Sequence, residues 1–171
     1  MANSRRRRQS GGMRSIIAAG LLALAATAAA AHPTPGRPVP FTRMPQINGN
    51  GFMKPGQFMV RNRVEWHRTW LQVMEGRTPC EPLPAIDFNR AMILVATRGE
   101  ITAGGHDIVI ESITESKDAL YVTVRRDTPG TCYVSEGYTH PTDAVLIAKT
   151  LKKIRWTYRD EIVDCPGAAL A

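Results

Sequence analysis

Ala91-Met92-Ile93-Leu94-Val95-Ala96 is an unbroken apolar run flanked by Asn89-Arg90 on one side and Thr97-Arg98-Gly99 on the other. Its length suits a strand better than a helix, and the lack of alternation predicts a strand covered on both faces. Downstream, residues 106 to 115 mix Ile108, Val109, Ile110 and Ile113 with Asp107, Glu111 and Glu115. Ser116-Lys117-Asp118 then offers a three-residue hairpin connection. Past it, Leu120, Val122 and Val124 alternate with Tyr121, Thr123 and Arg125, the period-two pattern of a half-buried strand. Two more candidates follow, from Ala144 to Lys149 and from Ile154 to Tyr158.

Upstream, Phe58-Met59-Val60 is a short strand candidate. Asn62 stands three positions before Glu65, a capping-box arrangement with Asn in the Ser/Thr place, so a helix is expected to start there. At 100° per residue Trp66, Trp70, Val73, Met74, Leu71 and Val64 share one half of the wheel, with His67 among them, and Gly76 is the natural stop. The expected fold is therefore α+β and mainly β: a small antiparallel sheet or sandwich with one amphipathic helix, about 63–75, packed on it.

The ends of the chain read differently. Residues 1–15 carry Arg5, Arg6, Arg7, Arg8 and Arg14 with no acid, and an apolar, Ala-rich run follows from Ile16 to Ala31. This is a signal-peptide layout with Ala29-x-Ala31 as the cut, and the run is short against the ~20 residues of a membrane span. An uncleaved anchor helix is the alternative. The arginine cluster is followed by Gln9-Ser10-Gly11-Gly12, so the export route, general or twin-arginine, stays open. From His32 to Gly56 six prolines interrupt any periodicity, which predicts an extended linker, or after Phe41 a segment lying on the domain surface. The expected organisation is signal peptide 1–31, linker 32–56, β-rich domain 57–165 and tail 166–171. Export places the protein in the periplasm, cell envelope or medium, with no integral span after cleavage.

Charge follows from this division. The chain has 22 basic and 15 acidic residues. Loss of the five leader arginines leaves 17 against 15, so the pI of 9.8 reports on the leader and gives no basis for a nucleic-acid partner. Cys80, Cys132 and Cys165 all lie in the exported part, where a pair is more readily a disulfide than a metal site. The loop-like settings of Cys80 and Cys132 favour that pairing, with Cys132–Cys165 the competitor.

Catalytic chemistry needs a nucleophile, base or metal within mutual reach. Ser112, Ser116 and Ser135 sit in no nucleophile motif, and His32, His67, His106 and His140 show no metal-ligand spacing. No cofactor, metal or catalytic residue is assigned. The enzyme alternative is a small secreted hydrolase or metal-dependent enzyme using Cys132, His140 and His67. Gly99 to His106, with Gly104-Gly105 inside it, reads either as a tight β-turn or as an exposed recognition loop. The basic run Lys149, Lys152, Lys153, Arg155 and Arg159 reads as a solvated strand face.

The order Ile86-Asp87-Phe88, Met92-Ile93-Leu94-Val95, Gly99, Thr102-Ala103-Gly104-Gly105-His106-Asp107-Ile108-Val109-Ile110, Leu120-Tyr121-Val122-Thr123-Val124, Thr139-His140-Pro141, Ala144-Val145-Leu146-Ile147 resembles the C-terminal domain of the PrcB family. That family is named after an accessory subunit of a bacterial surface protease complex. The resemblance runs over about residues 84–149, and its opening motif is similar to Pro84, Asp87 and Phe88. It implies a small exported β domain that associates with another exported protein, a protease, and stabilises it without catalysis of its own. Two departures stand in the loops: His106 where the family's turn has tyrosine, and Thr142 where an aromatic is expected. The partner surface is then expected at Thr102, Gly104, Gly105, His106, His140 and Pro141. The same Gly-Gly-aromatic turn is similar to the wedge loops of chagasin-type inhibitors, so a protease inhibitor acting through Gly104-Gly105-His106 is a further alternative.

Overall fold

In a computed structural model, residues 36–164 apart from 46, 48–50 and 132 are described. They belong to one unit that begins at Pro33, and the expected signal peptide lies outside the described residues. The chain order is β1 (Arg37–Pro38), β2 (Thr42–Arg43), β3 (Pro55–Val60), α1 (Arg63–Val73), β4 (Ala91–Arg98), β5 (Ile101–Ala103), β6 (Asp107–Glu115), β7 (Ala119–Pro129), β8 (Glu136–Thr139), β9 (Thr142–Ala148) and β10 (Lys153–Val163).

The apolar run forms β4, and it is covered on both sides as expected. Ile93 and Val95 point to a core shared with Trp66, Trp70, Val73 and Phe52, whereas Met92, Leu94 and Ala96 point to a second core with Ile110, Leu120, Val122 and Val124. Each fully buried aliphatic side chain contributes about 1.5–3 kcal/mol, so a strand that fills two cores organises both. The result is three layers: α1, then a sheet ordered β2-β9-β4-β3, then a sheet ordered β1-β6-β7-β10. The two-stranded β5–β8 ribbon projects beyond them.

Pairing within the sheets is antiparallel except at β10, which runs parallel to β7 in the register Trp156↔Val122 and Tyr158↔Val124. The expected antiparallel sheet or sandwich is thus present, with β10 as its one parallel neighbour. Residues 130–152, with β8 and β9 among them, provide the long crossover that a parallel neighbour requires. Ile154, Trp156 and Tyr158 pack against the inter-sheet core while Arg155 and Arg159 face out, as the alternation predicts.

The helix begins where the capping pattern places it. Asn62 Oδ1 accepts from Glu65 N–H at 2.9 Å, and the Glu65 carboxylate accepts from Arg61 N–H at 2.7 Å. Both indole N–H groups are satisfied by the following loop, Trp66 on Pro84 O at 2.9 Å and Trp70 on Glu81 O at 3.0 Å. The buried stripe is narrower than the wheel suggested: Trp66, Thr69, Trp70 and Val73 are buried, while Val64, His67 and Leu71 are exposed. Two adjacent tryptophans, 5.4 Å apart, occupy the width of the contact and leave the flanks to solvent. The helix ends at Val73, ahead of Gly76, whose φ of 73° turns the chain away. No helix among the described residues is long and apolar enough to cross a membrane.

The expected linker is corrected. β1 pairs with β6 and β2 with β9, so this stretch contributes an edge strand to each sheet. Met44, Ile47 and Phe52 are buried in the helix-side core, and β3 itself starts at Pro55. Proline is excluded from central strands but not from edges, which is where Pro38 and Pro55 stand. Across the inter-sheet space, Asp143 of β9 accepts from the Ile110 N–H of β6 at 2.7 Å and pairs with Arg43 of β2. Arg43 also donates to Ile110 O at 3.1 Å, beside the register shift between Ile110 and Ser112.

Candidate functional site

The polar loops of the sandwich gather at the end of β4. Gly99 has φ +72°, and a Cβ there would lie 2.6 Å from Pro55 N, so only glycine allows the turn against β3. The chain leaves the sheet through β5, which pairs with β8 in the register Ile101↔Thr139 and Ala103↔Glu136. Thr139 Oγ1 donates to Ala103 O at 3.0 Å, and Gly104 N–H donates to Ser135 O at 2.9 Å. A Cβ on Gly104 would meet Ser135 Oγ at 2.5 Å; on Gly105, with φ +76°, it would meet Val134 Cγ1 at 2.9 Å. The glycine pair thus lets two backbones touch, and the turn delivers His106 to the start of β6.

The residues expected to contact a partner are brought to this one end, in different settings. Thr102 and Gly105 are exposed, Gly104 is buried beneath Ser135, and His106 is half-buried. His140 has a side chain only 9% exposed, with Nε2 3.5 Å from Glu100 Oε2. Pro141 is buried, and its carbonyl accepts from Arg98 N–H at 2.9 Å and Thr97 Oγ1 at 3.3 Å. His140 and Pro141 therefore build the joint between β8 and β9, and Thr102, Gly105 and His106 face outward or line a cleft.

That cleft, of about 530 Å³, opens between the two sheets and is lined by Pro55, Gly56 and Gln57 of β3, Thr97 and Arg98 of β4, Ile101, His106, Arg126 of β7 and Tyr158 of β10. Gln57 Oε1 accepts from the Tyr158 hydroxyl at 2.7 Å across it. Arg126 makes a bidentate pair with Asp160, at 2.7 and 2.8 Å, and its guanidinium lies 5.0 Å from the centre of the Tyr158 ring. That hydrogen bond holds the Asp160 carboxyl below its ordinary range, and burial raises the Tyr158 phenol. Arg98 donates to the carbonyls of Asp127 and Asp107 and to Thr128 Oγ1, and no carboxylate stands within ion-pair range of it among the described residues. Burial, followed by the charge of Arg126, lowers its pKa. His106 is also lowered, first by burial and then by Arg98, both of which disfavour the charged imidazolium. The cleft is an electropositive, partly apolar recess.

Sequence reasoning did not single out Arg98, Arg126, Tyr158 or Gln57. They come from four strands, and only the parallel docking of β10 on β7 brings Tyr158 and Asp160 beside Arg126. Two tyrosines near the ribbon were also missed: Tyr133 is 100% and Tyr138 70% exposed. The basic run behaves as expected, with Arg159 paired to Glu111 and Glu161 and Lys152 to Glu115 on solvated strands.

The trio of the enzyme alternative is not assembled among the described residues. His67 sits on the solvent side of α1 beside Val64 and Leu83, His140 is enclosed beside Glu100, and Cys132 lies outside the described residues. Among those residues no three His, Cys, Asp or Glu side chains are placed to hold a metal ion. Cys80 is exposed with a free thiol that donates to Arg77 O at 3.7 Å; Cys132 and Cys165, needed for either disulfide, are both outside the described residues.

Comparison with known proteins gives one family. Residues 92–148 match the family model described as PrcB C-terminal. The matched stretch starts within β4 and ends with β9, so it contains the ribbon, the Gly104-Gly105 turn and the joint at His140 and Pro141. No curated protein and no solved structure matches the chain.

Proposed function

We propose that this chain is an exported, non-catalytic accessory module that binds another exported protein, a protease in the reading that the family suggests, and stabilises it. The PrcB C-terminal match over residues 92–148 carries this reading, because it coincides with the segment that builds the loop end of the sandwich. The contact surface is the accessible part of that end: exposed Thr102, Gly105 and the neighbouring Tyr138, with half-buried His106 at the mouth of the cleft. Tyrosine is favoured in protein contacts because it combines apolar area with a hydroxyl at low entropic cost. The Arg-rich leader and Ala-rich run support export.

The test is site-specific photo-crosslinking on the full chain, expressed in its native host. A crosslinker at Tyr138 or Thr102 is expected to capture one exported protein, and one at Arg155, on the outer face of β10, is expected to capture none. Deleting the chain should then shorten the lifetime of the captured protein. Failure to capture any exported protein at either loop position, at low or high salt, would sink the proposal.

A further inference from the structure

β3 is a free edge of the helix-covered sheet. Which of its main-chain groups are spare follows from the ladder. Arg98 N–H donates to Pro141 O at 2.9 Å, and Lys149 N–H donates to Arg90 O at 2.8 Å. Alternate residues of β4 (Arg98, Ala96, Leu94) thus bond towards β9, and Thr97, Val95 and Ile93 bond towards β3. The β3 partners of those three are Gly56, Phe58 and Val60, which leaves the N–H and C=O of Gln57 and Met59 turned to the open edge.

Cations outnumber carboxylates in the lining around that edge. On the helix side lies a groove of about 570 Å³ that Lys54, Arg68, Phe52 and Met53 help to line; on the other side lies the cleft with Arg98 and Arg126. Pro55, Gly56, Gln57 and Thr97 line both recesses, so they run along the two faces of one strand. Against these four cations, the two linings contain a single carboxylate, Glu65, and one of its oxygens is held by Arg61 N–H. Asp160 pairs with Arg126 from outside the lining, and Arg98, which makes no ion pair among the described residues, feels Asp160, Asp127 and Asp107 only at longer range. β10, a free edge of the other sheet, carries acids among its cations: Arg159 pairs with Glu111 and Glu161, and Asp160 with Arg126.

We propose that β3 receives an extended, acidic segment of a partner protein as an added antiparallel or parallel strand. The segment bonds to the main chain of Gln57 and Met59, and its alternating side chains place carboxylates near Arg68 on the helix side and Arg98 on the cleft side. Exposed Met53 and Met59 supply adaptable apolar contact. This rests on the reading of the chain as a protein-binding module and assigns it a surface and a partner chemistry.

The probe is a blocked ten-residue peptide alternating Val and Glu, with a Val/Lys counterpart and a version N-methylated at alternate backbone amides. Binding to the full chain is read by amide NMR shifts and fluorescence anisotropy at low salt. The acidic peptide is expected to shift Gln57, Met59 and Arg98, and the lysine and N-methylated peptides are expected to lose binding. Met59→Pro removes an N–H that the β4 ladder does not use, so the fold should persist by circular dichroism while affinity falls about tenfold. Arg98→Gln and Arg68→Gln should each weaken binding about two- to fivefold. No binding by the acidic peptide, equal binding by the lysine peptide, or unchanged affinity in Met59→Pro would overturn the proposal. If the protein captured by crosslinking still binds Met59→Pro at full strength, edge pairing is wrong and the accessory reading stands. If the peptide docks on β3 but no exported protein is ever captured, the accessory reading fails and the edge site stands.

Discussion

Replacing Asp143 by alanine removes the carboxylate that joins the two sheets, and the structure allows its cost to be divided. Asp143 Oδ2 accepts from the Ile110 N–H at 2.7 Å, in a position where the aspartate side chain is only 10% exposed. Alanine strands that amide between the sheets, and an unsatisfied buried donor costs about 1–3 kcal/mol. The second loss is the pair with Arg43, whose side chain is 43% exposed; a pair with one partner that open contributes about 0–1 kcal/mol. The amide therefore dominates, and Asp143→Ala should lower stability by about 2–3 kcal/mol in urea unfolding. Asp143→Asn keeps an oxygen that can accept from Ile110 N–H and loses only the charge, so it should cost about 1 kcal/mol. In the Arg43→Ala background, Asp143→Ala should keep most of its effect, leaving a coupling energy below about 1 kcal/mol. Equal costs for the alanine and asparagine variants, or a loss under about 1 kcal/mol for alanine, would refute the assignment of the stitch to the Ile110 amide.

Gly105→Ala must hold φ near +76° and push a Cβ to within 2.9 Å of Val134 Cγ1, so unfolding should show a loss of about 1–3 kcal/mol without loss of the core. His106 has a folded pKa below its unfolded value near 6.5, so the folded state binds fewer protons in that window and stability falls as pH drops from 6.5 towards the folded pKa. His106→Gln should flatten this slope in urea titrations run at successive pH values; an unchanged slope would show that another group carries it. Gly130 N–H donates to Val163 O at 3.0 Å and Thr131 N–H to Asp164 Oδ1 at 3.2 Å, so the parallel ladder brings together the residues that immediately precede Cys132 and Cys165. Peptide mapping of the unreduced protein purified from its native host should therefore give a Cys132–Cys165 bridge and a free Cys80, in place of the Cys80–Cys132 pairing that loop placement favours.

What the sequence made legible was whatever a local pattern can encode. The unbroken run at Ala91–Ala96 announced a strand covered on both faces, which the two cores provide, the alternation at Leu120–Val124 chose its inner face, and Asn62 with Glu65 marked the helix start to the residue. What it hid depends on partners distant in sequence. The proline-rich stretch has no periodicity because edge strands of two residues are too short to show one, and their place is set by Glu115 and Leu146 on the far sides of two sheets. The helix face was drawn too wide because a wheel counts apolar residues but not their size, and Trp66 with Trp70 fill the contact before Val64 or Leu71 can reach it. The site divides in the same way. Gly104-Gly105 declares a close backbone approach through residue type alone, and Ser135 and Val134 are what it approaches. Arg98 carries no such mark: it is one arginine among many until β7 is laid beside β10 and Arg126 and Tyr158 arrive across the cleft from it. A charge in the wall of a recess is thus a property of the topology, which no window along the chain contains.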